Sequence, residues 1–196
     1  SDEKIDCSRY KYFYASYVAY SKKINEAKKI VKSAIKLNPR NFLLNQYKLD
    51  LDKNKNIYVF DCNKEAHVIS EILYITANAL SSQSIYPLSN FYLNLAKFLN
   101  DDFHSNDTLL AENFYKIDNY TKAKKIYNNL SKQGKAFSWY SAKQLAKIFL
   151  EEEKKDKALK LVSDSYNSLD KKNIYETFDY AEFLKNNEKF EDSIIF

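Results

Sequence analysis

Residues that bend or break a backbone are nearly absent from this sequence. Among 196 residues there are one glycine, Gly134, and two prolines, Pro39 and Pro87. Turn-rich β-sandwiches and barrels need many such residues, because tight turns require a positive or a fixed φ. Their scarcity argues against an all-β fold and predicts an all-α protein.

Residues and motifs that commonly serve catalysis, metal binding or phosphate binding are scarce too. Cys7 and Cys62 have no framework spacing and predict no disulfide scaffold, so we expect both to be buried as small side chains. His67 and His104 lack a second pair of ligands, which argues against a zinc site. A single glycine excludes a phosphate-binding loop, and no nucleophile elbow or metalloprotease helix motif occurs. We therefore expect no catalytic residue, no metal and no cofactor, and the protein is not predicted to be an enzyme.

Long apolar runs and blocks of one charge are also missing. No run of 18 apolar residues occurs, so no membrane span is expected, and the start Ser1–Lys4 is polar. The 31 basic and 26 acidic residues give a net charge of +5 and are interspersed, so nucleic acid is not the expected partner. We expect the chain to be a fragment of a longer protein, and cytoplasmic and exported (periplasmic) locations both stay open.

Small residues recur at a fixed spacing. Ala15, Ala27 and Ala34 precede Pro39 by 24, 12 and 5 positions. The same spacing recurs in four later sets: Ala77, Ser89, Ala96 and Asp101; Ala111, Ala123 and Leu130; Ala146, Ala158, Ser165 and Asp170; Ala181 and Ser193. The later sets are offset by 34 or 35 residues, which is typical of a helical repeat protein.

This pattern resembles the tetratricopeptide repeat (TPR). The best copy runs from Tyr14-Ala15 through Ala27 to Pro39, and the segment Asp118–Ala123 resembles the turn that opens the second TPR helix. The resemblance covers most of residues 8–196, although the usual tryptophan is missing and alanine replaces the usual glycine of the first helix. It implies a right-handed superhelical solenoid of antiparallel helix pairs. A narrower resemblance is to the central part of larger alphaproteobacterial TPR proteins.

We predict one TPR-like solenoid fragment over residues 1–196. Its repeats are predicted at 8–41, 42–63, 64–103, 104–138, 139–173 and 174–196. The repeat 42–63 is degenerate, with one helix from Asn41 to Leu51 and an irregular segment after it. The last repeat is truncated, which predicts an exposed apolar edge and end-to-end self-association.

The small residues are expected to let helices approach closely, while large residues fill the grooves between them. The large residues expected in the core are Phe91, Leu95, Ile126, Leu145 and Leu161. Pro87 fits the first turn of a helix, where no backbone N–H is needed, and Gly134 is expected to close the helix that ends at Leu130.

In TPR solenoids the first helix of each pair lines a concave groove, and the resemblance implies binding of a protein or peptide there. The implied groove residues are Tyr12, Ser16, Tyr74, Asn78, Thr108, Glu112, Lys143, Lys147, Phe178 and Glu182. A clamp for a C-terminal carboxylate is not expected, because Lys143 and Lys147 stand in one repeat.

Two other functions stay open. The first is a helical-repeat RNA-binding module, although such readers need a constant polar code and the groove positions here vary from serine to glutamate. The second is the regulatory TPR portion of a larger enzyme. The leading hypothesis is a protein–protein interaction module or scaffold.

Overall fold

The prediction of an all-α protein is confirmed. A computed structural model describes residues 7–55 and 57–195, and every regular element within those ranges is a helix. The polar start Ser1–Lys4 and the last residue of the truncated repeat, Phe196, lie outside the described residues. The helices group into two compact units, of which the first ends at Asp118 and the second begins at Asn119.

The first unit contains two groups of three helices. The helices are α1 (Ser8–Tyr20), α2 (Ile24–Leu37), α3 (Phe42–Asp52), α4 (Glu65–Ser82), α5 (Tyr86–Leu99) and α6 (Ser105–Lys116). In each group the second helix packs against the first and the third. The lone helix α3 and the non-helical residues that follow it match the degenerate repeat, and Pro87 lies in the first turn of α5 as predicted.

The second unit also consists of helices packed on their chain neighbours. They are α7 (Tyr120–Leu130), a 3-10 turn (Ser131–Gln133), α8 (Lys135–Glu151), α9 (Lys155–Asn167), α10 (Ile174–Asn186) and α11 (Phe190–Ile194). The prediction for Gly134 is wrong. The chain leaves α7 through the 3-10 turn, and Gly134 instead precedes α8 with a φ of 151°, a value that glycine tolerates because it lacks a Cβ.

The same backbone turn recurs along the chain. Residues with positive φ between 55° and 66° are Lys22, Asn54, Ser84, Asp118, Glu153 and Glu188, and the last four are spaced by 34, 35 and 35 residues. After Lys22, Glu153 and Glu188, the next N–H donates to the carbonyl five residues back, as in a Schellman motif. The sequence period is therefore also a period of backbone geometry.

Glycine is expected to stabilise these turns. Glu153→Gly removes the steric cost of a left-handed side chain, so we expect the free energy of unfolding to rise by about 0.5–1 kcal/mol. The matched control is Lys147→Gly within α8, where glycine should lower the free energy of unfolding by about 1 kcal/mol. Urea unfolding of both variants measures the difference, and a loss of stability in both would contradict the left-handed turn at Glu153.

Most of the recurring small residues are buried. Those with no exposed surface are Ala15, Ala27, Ala34, Ala77, Ser89, Ala96, Ala111, Ala123, Ala146 and Ala158. Ala181 and Ser193 of the last set are half-buried. Where serine replaces alanine in the second helix of a pair, its hydroxyl donates to the small residue of the first. Ser89 Oγ lies 2.8 Å from the Ala77 carbonyl, and Ser193 Oγ lies 3.0 Å from that of Ala181. Ser193 therefore takes the same position in its helix pair as Ser89 does, and Ala181 the same position as Ala77.

The irregular segment after α3 completes an aromatic core. Val59 is 2% exposed, and its carbonyl accepts a hydrogen bond from Asn100 Nδ2 at 2.9 Å. The Phe60 ring stacks on Phe13 with 4.5 Å between centroids. At the end of the segment, the Asp61 N–H donates to His67 Nδ1, and burial lowers the pKa of this histidine. The segment is thus fixed without being helical.

Two predictions of burial are wrong. Cys7 and Cys62 are exposed free thiols. Phe91 and Leu95, which were expected to fill grooves, are 57% and 39% exposed, whereas Leu145 is buried as expected. Both residues lie outside the side of α5 that packs on α4, which is marked by the buried Ser89 and Ala96.

Candidate functional site

Three of the ten residues assigned to a groove lie inside the core. Tyr12, Ser16 and Thr108 are at most 8% exposed. The Tyr12 ring packs edge to face on Tyr47, and burial raises the pKa of its hydroxyl. The hydroxyls of Ser16 and Thr108 donate to carbonyls three residues earlier in their own helices. These side chains contribute to packing and offer no surface to a partner.

Two further groove residues are engaged in internal contacts. Tyr74 is half-buried beneath Arg9, whose guanidinium carbon lies 3.7 Å from the ring centroid. Burial raises the pKa of Tyr74, and the Arg9 charge opposes that rise. Lys143 forms an ion pair with Asp179 and lies 5.2 Å from the centre of the Trp139 ring. Both residues hold helices together within their own unit.

The remaining five groove residues are exposed: Asn78, Glu112, Lys147, Phe178 and Glu182. They lie on helices α4, α6, α8 and α10. The first two belong to one compact unit and the other three to the second. A single groove that contains all five stays a prediction.

A different surface concentrates exposed apolar side chains. We name it the α4–α5 face, and its members are Val68, Ile69, Ile72 and Ile75 of α4 with Leu88, Phe91, Leu95 and Phe98 of α5. Their exposed fractions run from 36% for Val68 to 87% for Phe98. Apart from the adjacent Val68 and Ile69, the residues follow one another at three- or four-residue intervals, so they form one stripe along each helix.

Two hydrogen bonds fix how the stripes lie beside each other. Ser70 Oγ donates to the Ala96 carbonyl at 2.7 Å, and the Ser89–Ala77 bond holds the other end of the antiparallel pair. In that register Ile75 lies level with Phe91. At about 100° per residue, however, Ile75 points away from α5 and Phe91 points away from α4, so the two stripes do not meet.

Three members of the face lie on the flank of the pair opposite α6. The α6 side is marked by contacts from Ser81 and Asn90 to Asn113 and from Lys97 to Asp107. At about 100° per residue, Ile69, Leu88 and Leu95 project away from these contacts. The remaining members point outward, those of α4 away from α5 and those of α5 away from α4.

The α4–α5 face carries no charged residue. Between the ends of the two helices, the ionised side chains are Glu71 and Lys97. Glu71 pairs with Arg9, and Lys97 pairs with Asp107 at 2.7 Å. Exposed apolar stripes of this kind, on a chain with 29% charged residues, are candidate sites for binding another surface.

Charge is less evenly distributed than the interspersed signs suggest. Residues 8–52, which form the first three helices, hold ten lysines and arginines and three acidic residues, Glu26, Asp50 and Asp52. Lys28 pairs with Asp52 and Arg9 with Glu71. The first three helices are therefore basic, and the count over the whole chain hides this because the rest carries the excess of acid.

No family model matches this chain, and no curated protein matches it at a significant level. Within residues 7–55 and 57–195, no group of three or more histidine, cysteine or acidic side chains is arranged to hold a metal ion. Within the same ranges, no helix has both the length and the apolar character needed to cross a membrane. The exposed apolar residues of the α4–α5 face are therefore the candidate binding site.

Proposed function

We propose that this protein is a helical-repeat, TPR-like module that binds another protein. Three observations support a repeat of TPR type: the recurring left-handed turn, the buried small residues, and the equivalent bonds of Ser89 and Ser193. Helix pairs of this kind leave apolar flanks that become buried when another element stacks on them. Successive pairs stacked in this way form a right-handed solenoid.

The observation that carries the binding function is the pair of exposed apolar stripes on α4 and α5. Ile72 lies in the α4 stripe and Phe91 in the α5 stripe, and each is 57% exposed, so they are suited to act as anchors that a partner buries. An apolar helix of the partner fits along either stripe. Binding there requires no charged group on either side.

Substitution of two anchors tests this function. Ile72→Glu with Phe91→Glu places two charges on the face, and because both positions are exposed the fold should lose less than about 1 kcal/mol. We expect at least a tenfold loss of partner captured by a photo-crosslinker at Leu95, measured by quantitative mass spectrometry. Equal capture by the wild type and this variant would contradict the proposal.

A matched variant distinguishes the face from the groove. Asn78→Glu with Asn94→Glu adds the same two charges to the same helices, at exposed positions outside the face. This variant should capture the partner as well as the wild type does. If it loses the partner while the face variant keeps it, the binding surface is the groove side near Asn78.

RNA binding is a second candidate, favoured by the basic first three helices. Tyr10, Tyr14, Tyr17 and Tyr20 of α1 are each at least 50% exposed, and exposed aromatic rings beside lysines can stack on bases. The capture experiment separates the two functions. Material that disappears after nuclease treatment, and weakens steeply with salt, would favour RNA.

A further inference from the structure

We infer that protonation of His67 releases the end of the irregular segment that follows α3. Residues 57–63 of that segment, which we name the strap, lie against α1, because two of their rings stack on rings of that helix. The strap is joined to α4 by the hydrogen bond from the Asp61 N–H to His67 Nδ1, which is 3.1 Å long. The inference goes beyond the proposed binding function, since it uses none of the exposed apolar residues of α4 and α5.

The hydrogen bond requires an uncharged imidazole. Nδ1 of His67 accepts from the Asp61 N–H, so this nitrogen carries no hydrogen and the ring proton is on Nε2. A protonated imidazole has an N–H at both nitrogens and therefore no acceptor. Protonation of His67 removes the bond and places two donors against each other.

Burial and nearby charges determine where His67 titrates. Burial is the largest cause that lowers the pKa of His67, and the charge of Lys64 lowers it further. The charges of Asp61 and Asp102 raise the pKa, but the net change is a decrease from the usual value near 6.5. Asp102 is exposed, so solvent screens its charge. His67 is therefore neutral, and the bond is intact, at neutral pH.

The pH at which the bond is lost follows from the lowered pKa. A released imidazole takes up a proton near pH 6.5, whereas the bonded His67 takes it up only at a lower pH. The stability that the bond contributes is fully present above about pH 6.5, and it is lost as the pH falls through the pKa of the bonded imidazole. Mildly acidic solution thus releases the strap, and neutral solution restores it.

The carboxylates close to His67 along the chain are already engaged. Asp61 Oδ1 accepts from the Asn63 N–H at 2.9 Å and from Asn63 Nδ2 at 3.2 Å. Glu71, one turn further along α4, forms an ion pair with Arg9. A protonated His67 gains either carboxylate only by displacing these partners. An ion pair with Asp61 would therefore also disturb the turn that ends the strap.

Only the end of the strap depends on this bond. Val59 is 2% exposed, and its carbonyl accepts from Asn100 Nδ2, so this part stays anchored in acid. Phe60 follows it, stacks on Phe13 and lies 6.3 Å from the His67 ring. Loss of the bond at the next residue lets Phe60 separate from Phe13. Acid then exposes two aromatic rings beside α1 while the helices stay folded, which is a local switch with a conformational readout.

Hydrogen exchange of single amides tests the inference on the full chain. Between about pH 7.5 and pH 5, the protection of the Asp61 amide, corrected for its intrinsic exchange rate, should fall at least about threefold. The amide of Leu93 in α5 should keep its protection. The midpoint of the change at Asp61 should coincide with the titration of the His67 ring followed by NMR, and the neutral ring should carry its proton on Nε2.

A side chain that accepts but does not titrate provides the matched variant. In His67→Asn the amide oxygen takes the place of Nδ1 and accepts from the Asp61 N–H at either pH, so protection should no longer change with pH. His104→Asn removes the other histidine of the chain and should leave the change as it is in the wild type.

Each other result overturns the inference. Constant protection at Asp61 in the wild type shows that the bond does not depend on the charge of His67. A fall that persists in His67→Asn, or whose midpoint differs from the His67 titration, assigns the change to another group. An equal fall at Leu93 indicates general unfolding in acid. If His67→Asn does not fold, the two midpoints measured in the wild type decide.

Discussion

Replacement of Asn113 by alanine is expected to lower the free energy of unfolding by about 3 kcal/mol. The side chain is 1% exposed and joins three helices of the first unit. Its Nδ2 donates to Ser89 Oγ and to Asn90 Oδ1, both at 2.8 Å, and its Oδ1 accepts from Ser81 Oγ at 2.6 Å. Alanine leaves the Ser81 hydroxyl and the Asn90 amide oxygen without these partners in a buried site.

Urea unfolding of the variant gives the size of this effect. Asn78→Ala is the matched control, because Asn78 is exposed on α4 and its loss should change stability by less than about 0.5 kcal/mol. A double variant with Ser81→Ala should cost less than the sum of the two single variants, since both remove the same bond. A loss below about 1 kcal/mol at Asn113 would mean that water replaces the three contacts.

The close packing of α4 on α5 could be predicted from the sequence, but this polar network could not. The spacing of Ala77, Ser89 and Ala96 requires close packing of α4 on α5, and all three are fully buried. Asn113 lies within α6, where a polar side chain ordinarily indicates a solvated position. Its partners are 23 to 32 residues away, and only the packed helices bring them together.

The exposure of Phe91 and Leu95 follows from helix geometry. Phe91 lies two residues after Ser89 and five before Ala96, about 200° and 140° around the helix, so it points away from the side on which those two are buried. Leu95 lies about 100° from Ala96. The small residues identify the side of α5 that packs on α4, whereas the size of an apolar residue does not.

For the groove residues too, the sequence pattern predicts the helix on which each residue lies but not its exposure. All ten lie on helices α1, α4, α6, α8 and α10, so the sequence placed them on the intended elements. Their accessibility depends on what packs around each helix. Tyr12 is covered by Tyr47 and Phe103, which come from distant parts of the sequence, whereas Phe178 stays 56% exposed.

Replacement of Arg9 by methionine is expected to lower the free energy of unfolding by about 3–4 kcal/mol. Arg9 joins α1 to α4, because it forms an ion pair with Glu71 and lies 3.7 Å from the centre of the Tyr74 ring. Both charged side chains are under 20% exposed. Methionine keeps much of the apolar contact with Phe13 and Phe103 but leaves the Glu71 carboxylate without its cation.

Two further variants separate the charge from the packing. Arg9→Met with Glu71→Met removes both charges, and it should recover most of the stability because no ion is left buried alone. Arg9→Lys keeps the charge and loses the planar contact with Tyr74, so we expect a smaller loss of about 1–2 kcal/mol. Urea unfolding at neutral pH measures all three. If the double variant is as unstable as Arg9→Met, stacking of the guanidinium on Tyr74 is the main contribution of Arg9, and the unpaired carboxylate matters little.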